Sequence, residues 1–193
     1  ENVQTLTSRF PKLDKNDYWH LFTRANNHNA VYKKICIPMT AQNPQASVVM
    51  HEDTYCDNAN MFFVQIPEIN DDKLYAMAAI INSTPFAYFA KSIANPQQGG
   101  FYKFNKQFLA PVPFPKEEFI LFGERMKRLV SIAKRIEETN SAIATNISSA
   151  SRYYPLLNNL WDEIDQICCN LYGLTDAEKS TIMANPRIDH KYE

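Results

Sequence analysis

The sequence predicts an α+β fold: a small mixed, mostly antiparallel sheet with packed helices, then a long helix and a helical tail. Three observations carry that expectation. Short runs rich in β-branched and aromatic residues, bounded by turn formers, fill the chain before residue 66. Two helical periodicities, joined at Ser83-Thr84-Pro85, come next. Beyond Phe119, apolar residues recur alternately three and four apart.

Taken in order, the first thirty residues mix Phe10, Tyr18, Trp19 and Phe22 with the polar cluster Arg24, Asn26, Asn27, His28 and Asn29, which reads as loop. Residues 31–39 (VYKKICIPM) read as a strand, basic at its start and stopped by Pro38. Residues 40–46 form a turn-rich loop; 48–50 and 61–66 are further short strands around an acidic turn with Glu52, Asp53 and Asp57. A helix starts at Asp71 or Asp72, with Leu74, Met77, Ala78 and Ile81 on one face. Ser83 is placed to cap a second helix, with Pro85 in its first turn and Phe86, Phe89, Ala90 and Ile93 on one side. Residues 95–100 break it, and 101–104 and 108–112 read as strands flanking a lysine-rich turn.

From Phe119 a seam runs through Phe122, Met126, Leu129, Ala133, Ile136, Asn140, Ile143 and Ile147. Asn140 occupies a position where one buried polar group often fixes register. Such a seam suits packing within the chain more often than a dimer interface, and a helix-mediated dimer stays open. Residues 156–172 form an amphipathic helix through Leu157, Leu160, Ile164, Ile167 and Leu171, ended by Gly173. Thr175 and Glu178 have capping-box spacing for a short last helix. The expected division is 1–115 for the body and 116–193 for the helical extension.

A hydrophobic fraction of 45% with 21% charged residues is that of a folded chain. The net charge of −1 argues against a strongly DNA-avid module, yet it conceals a gradient. Residues 8–49 hold six bases against Asp14 and Asp17, whereas 155–193 hold seven acids against three bases. Four cysteines (36, 56, 168 and 169) show no C-x-x-C spacing, so a reduced, cytoplasmic setting is expected. No stretch of 18 apolar residues suggests a membrane span. The chain opens on Glu1 rather than Met, which suits a fragment, ordinary processing or a designed boundary.

The chemistry concentrates between Lys91 and Lys116, where Lys103 and Lys106 also fall and no acid occurs. Lysine serves phosphate, Gln and Asn pair with base edges, and Gly99-Gly100 allows close backbone approach. Candidate DNA contacts are therefore Gln97, Gln98, Lys103, Asn105, Lys106 and Gln107 here, with Arg24, His28, Lys33, Lys34, Thr40, Gln42 and Asn43 upstream. A plainer reading stands beside each: an Asn-capped turn with a solvated lysine, an exposed strand end, or polar loop filler.

The run Gly99-Gly100-Phe101-Tyr102-Lys103-Phe104-Asn105-Lys106-Gln107-Phe108-Leu109-Ala110-Pro111-Val112-Pro113 resembles a motif of one known family. That motif lies near the end of the target-recognition domain in TaqI-type and type IIG restriction-modification proteins. Lys33-Lys34-Ile35-Cys36-Ile37-Pro38 is similar to the family's opening strand, and the helices around Ile81-Asn82-Ser83 to its paired helices. Residues 162–175 resemble the C-terminal helix-Gly-helix of many adenine-specific DNA methyltransferases. Where the family often carries arginine after the first strand's proline, this chain has Met39-Thr40-Ala41-Gln42-Asn43.

The resemblance implies sequence-specific recognition of double-stranded DNA. Adenine-N6 methylation, or cleavage by an endonuclease, would lie in another part of the parent protein. S-adenosylmethionine, and magnesium if the parent cleaves, would bind there, and that methyltransferase or nuclease domain would be the partner. This chain itself shows no chemistry: Asn43-Pro44-Gln45 and Asn95-Pro96-Gln97 lack the second proline and the aromatic of an Asn-Pro-Pro-Tyr motif. Its histidines (20, 28, 51 and 190) have no metal-ligand spacing, and no Ser or Cys has a neighbouring base. No catalytic residue, metal or cofactor is expected here. Half of a type I specificity subunit, or a helical protein-interaction module without DNA binding, are the alternatives.

Overall fold

A computed structural model describes residues 33–51, 60–66 and 68–185. The fold is α+β, with two small antiparallel sheets of three strands each and a helical second half. In the first sheet β1 (Lys34–Pro38) lies between β3 (Ser47–Val49) and β4 (Met61–Val64), with Ile35 opposite both Val48 and Val64. As the middle strand, β1 is buried from Lys34 to Ile37.

Pro38 does not end the extended chain. Its missing N–H is harmless at the end of the ladder, and the backbone carries on into β2 (Thr40–Ala41) of the second sheet. Met39 joins the two sheets: its N–H donates to the Asn60 carbonyl at 2.8 Å, and its carbonyl accepts from Phe104 N at 2.8 Å. In the second sheet β6 (Tyr102–Lys103) lies between β2 and β5 (Asn95–Pro96).

Between the sheets in sequence come α1 (Asp71–Ile81) and α2 (Thr84–Ile93). Asn70 caps α1 by accepting from Asp72 N, and Ser83 caps α2 by accepting from Phe86 N, with proline in the first turn. Residues 108–112, expected as a strand, instead belong to a short helix, α3 (Lys106–Leu109), and the turn after it. Both edges of β6 are already paired. Pro111 and Pro113 also lack the N–H groups that a ladder needs.

The long helix starts later than its seam. After α4 (Lys116–Leu121), Phe122 takes a left-handed conformation at φ 51° and Gly123 opens α5 (Glu124–Thr145). Phe119 and Phe122 pack edge to face at this corner, with the Lys73 ammonium 5.7 and 5.9 Å from their ring centroids. Ile147 lies beyond α5 in a 3₁₀ turn. Two further helices follow among the described residues: α6 (Tyr154–Leu171) and α7 (Asp176–Met183), the latter with the capping box of Thr175 and Glu178 in place.

The seam packs within the chain. Met126, Leu129, Ile132 and Ile136 of α5 share one core with Ile35 and Ile37 of β1, Leu74 and Ile80 of α1, and Leu157, Leu160 and Ile164 of α6. That core runs across Pro115 without interruption. Asn140 is exposed rather than buried, and the buried polar residue of α5 is Thr139, whose hydroxyl donates to the Arg135 carbonyl. At 100° per residue Asn140 still falls on the stripe of Leu129 and Ile136. It is exposed because that stripe opens onto a groove at this level. Among the described residues, no helix is long and apolar enough to cross a membrane.

Candidate nucleic-acid interface

The second sheet gathers most of the candidate residues. Thr40, Lys103 and Asn95 stand directly opposite one another across β2, β6 and β5, and all three are exposed. Residues opposite one another share a face, so this row forms the outer face. In the alternate row Ala41 is buried and half-buried Tyr102 stacks on fully buried Phe104 at 6.2 Å, while Pro96 at the edge is exposed.

The strand directions distribute the rest. β2 and β5 both run antiparallel to β6, so their C-terminal ends meet the start of β6. Gln42, Gln97 and Gln98 therefore share one end with Gly99-Gly100, and Asn105, Lys106 and Gln107 follow from the other. With two-residue strands at about 3.4 Å per residue, the two ends are close. Gly99 and Gly100 have φ of 77° and 80°, which a side chain would strain. This turn closes with Gln97 N donating to the Phe101 carbonyl at 2.7 Å.

Lys103 and Lys106 are exposed and join no ion pair among the described residues. Gln98 and Gln107 are exposed, while Gln97 is half-buried with its amide donating to the Pro96 carbonyl at 3.0 Å. Asn105 precedes α3 without capping it, and its Oδ1 is buried with no hydrogen-bond partner among the described residues. The Lys91 ammonium lies 5.3 Å from the Tyr102 ring centroid, on the alternate row.

Other candidates stand elsewhere. Lys34 is only 3% exposed within the middle strand, so its side chain is not an open phosphate contact. Lys33 holds Asp71 at 2.6 Å, which neutralises its charge locally. Asn43 lines the groove beside α5, as does Gln42, two residues after Thr40. Arg24 and His28 lie outside the described residues.

Two features were not anticipated from sequence. Asn95 joins the outer row although its Asn-Pro context reads only as a helix breaker. The groove, of about 770 Å³, lies between the 42–48 loop, α1, α5 and α6. On its wall the Tyr75 hydroxyl donates to Glu137 Oε2 at 2.7 Å. Burial first, then that carboxylate, pushes the phenol up to about 12. The repeat of polar Glu137, Asn140 and Ser141 at i, i+3 and i+4 was the available signal for this face. No cluster of His, Cys, Asp and Glu among the described residues could hold a metal ion. No protein-family model matches the chain, and no curated protein matches it.

Proposed function

We propose that this chain recognises a specific sequence in double-stranded DNA on behalf of a restriction-modification protein. The outer face of the second sheet and its flanking turns form the DNA-binding surface. One observation carries the reading: two acid-free stretches, 33–51 and 91–116, come together in one small sheet. A locally basic, amide-rich face results on a chain whose net charge is −1. Lys103 and Lys106 bind phosphates and set the register, which carries no sequence information in itself. Gln42, Gln97, Gln98 and Gln107 present amides whose donor and acceptor pair matches the adenine edge in the major groove. Adenine-N6 methylation or cleavage, with S-adenosylmethionine or magnesium, is work for another domain of the parent protein.

The test is a low-salt titration of the chain against a random duplex pool, followed by sequencing of what is retained. An enriched motif whose retention falls with salt is the expected result. Retention without a motif would assign sequence choice to the partner domain. No retention at the lowest salt would turn the assignment to the alternative, a helical protein-interaction module.

A further inference from the structure

One apolar side chain stands on the outer face of the second sheet. Phe101 is 40% exposed, the most exposed aromatic ring among the described residues. Its place follows from the pairing. Gln97 N donates to the Phe101 carbonyl at 2.7 Å, which extends the register of Asn95 with Lys103 and Pro96 with Tyr102 by one residue. Phe101 is itself extended, at φ −82° and ψ 158°. Alternation along such a strand puts Phe101 and Lys103 on one face and Tyr102 on the other. Tyr102 is the ring that stacks on buried Phe104.

The setting of the ring is polar. Exposed Lys103 stands two residues on, Gln97 is opposite, and exposed Gln98 opens the turn between them. No acid occurs from Lys91 to Lys116. The ring also lies back over the turn: the point where a side chain would leave Gly99 is 3.5 Å from its edge. A wedge that parts stacked base pairs must stand clear of its turn, and such wedges act from the minor groove. A ring lying among lysines and amides meets base edges instead. Any donor or acceptor that it covered would lose water and gain no partner. In the major groove the base pairs present one apolar group, the C5-methyl of thymine.

We propose that Phe101 reads thymine in the target sequence, its ring packing on the C5-methyl in the major groove. An A·T pair shows that methyl beside the adenine edge that an amide takes, so the ring and its neighbouring glutamines suit one run of A·T pairs. The inference rests on DNA binding by this face and adds the base that one residue selects.

The experiment uses the full chain and two random duplex pools, one built with thymine and one with uracil, which lacks only the methyl. The wild-type chain should bind the motif enriched from the thymine pool more tightly than the same duplex with uracil at one position. The expected ratio is about fourfold, which fits the burial of one methyl group. Phe101→Ala should bind the two duplexes alike. Phe101→Leu keeps an apolar side chain and should keep part of the preference. The wild type alone carries the thymine–uracil comparison, so the test holds even if a variant fails to fold. Equal binding of both pools by the wild type, or a preference that persists in folded Phe101→Ala, would overturn the proposal while DNA binding stands. No retention of either pool would overturn the DNA reading and this inference with it.

Discussion

Asp165 of α6 is 7% exposed and reaches across to the start of α2, accepting from Thr84 N at 2.7 Å and from the Thr84 hydroxyl. Burial raises its carboxyl from 3.8 to about 6, against the two Thr84 hydrogen bonds that pull it down. In the window from 3.8 to about 6 the folded protein keeps a proton that the unfolded chain has released. The group's contribution to stability is therefore greatest at the acid end and falls as pH rises through that window. Measured as wild type minus Asp165→Asn, unfolding free energy should drop by on the order of 2 kcal/mol across it; a flat difference would refute the assignment. Asp165→Ala, which strands the buried Thr84 N–H, should cost about 1–3 kcal/mol at low pH in denaturant titration. At the proposed DNA face, Lys106→Ala and Lys103→Ala should each weaken retention and lower the salt slope by about one. A slope unchanged by both would remove these lysines from the interface.

At the scale of elements, the 42–47 loop has no regular structure over most of its length, and the side chain of Asn82, the residue that follows α1, holds it. Asn82 imitates a strand partner for Ala46, using both ends of its amide on one residue's backbone. Asn82→Ala should leave that N–H without its acceptor and cost about 1–3 kcal/mol. Hydrogen exchange is the direct readout: the Ala46 amide should lose protection while the β1 amides keep theirs. Equal loss in both would mean that the asparagine supports the whole fold rather than the loop. The second sheet depends on tertiary support too, since its paired stretches are two residues long. Such strands have little stability of their own; Phe104, fully buried, and the link through Met39 anchor them.

For the whole molecule, the decisive feature is a core that ignores the change of texture at Pro115. Leu74, Ala78 and Ile81 of α1 are buried in the same cluster as α5 and α6. A fragment ending at residue 115 should therefore fail to fold, with poorly dispersed amide resonances, although its composition reads as a complete body. The intact chain should unfold in one transition, with near-UV and far-UV dichroism superimposed. Two separated transitions would restore 1–115 and 116–193 as independent units.

What could be read from the chain was whatever acts locally. Ser83-Thr84-Pro85, the Thr175–Glu178 box and the apolar spacing of α1, α5 and α6 depend on residues within a turn or two, where capping and the 3.6 period operate. The lysine-rich, acid-free stretch around Lys106 was visible for the same reason. Its conformation was not, because whether 108–112 pairs as a strand depends on a free edge at β6, and β2 and β5 occupy both. Lys33 and Lys34 look alike in sequence, but the strand's place in the sheet buries one, and Asp71, 38 residues on, pairs the other. Asn140 sits on the correct stripe and is still exposed, since burial depends on what stands opposite. The groove that exposes it joins Asn43, Asn82 and Glu137, residues remote in sequence that only the packing of α1 and α5 brings together.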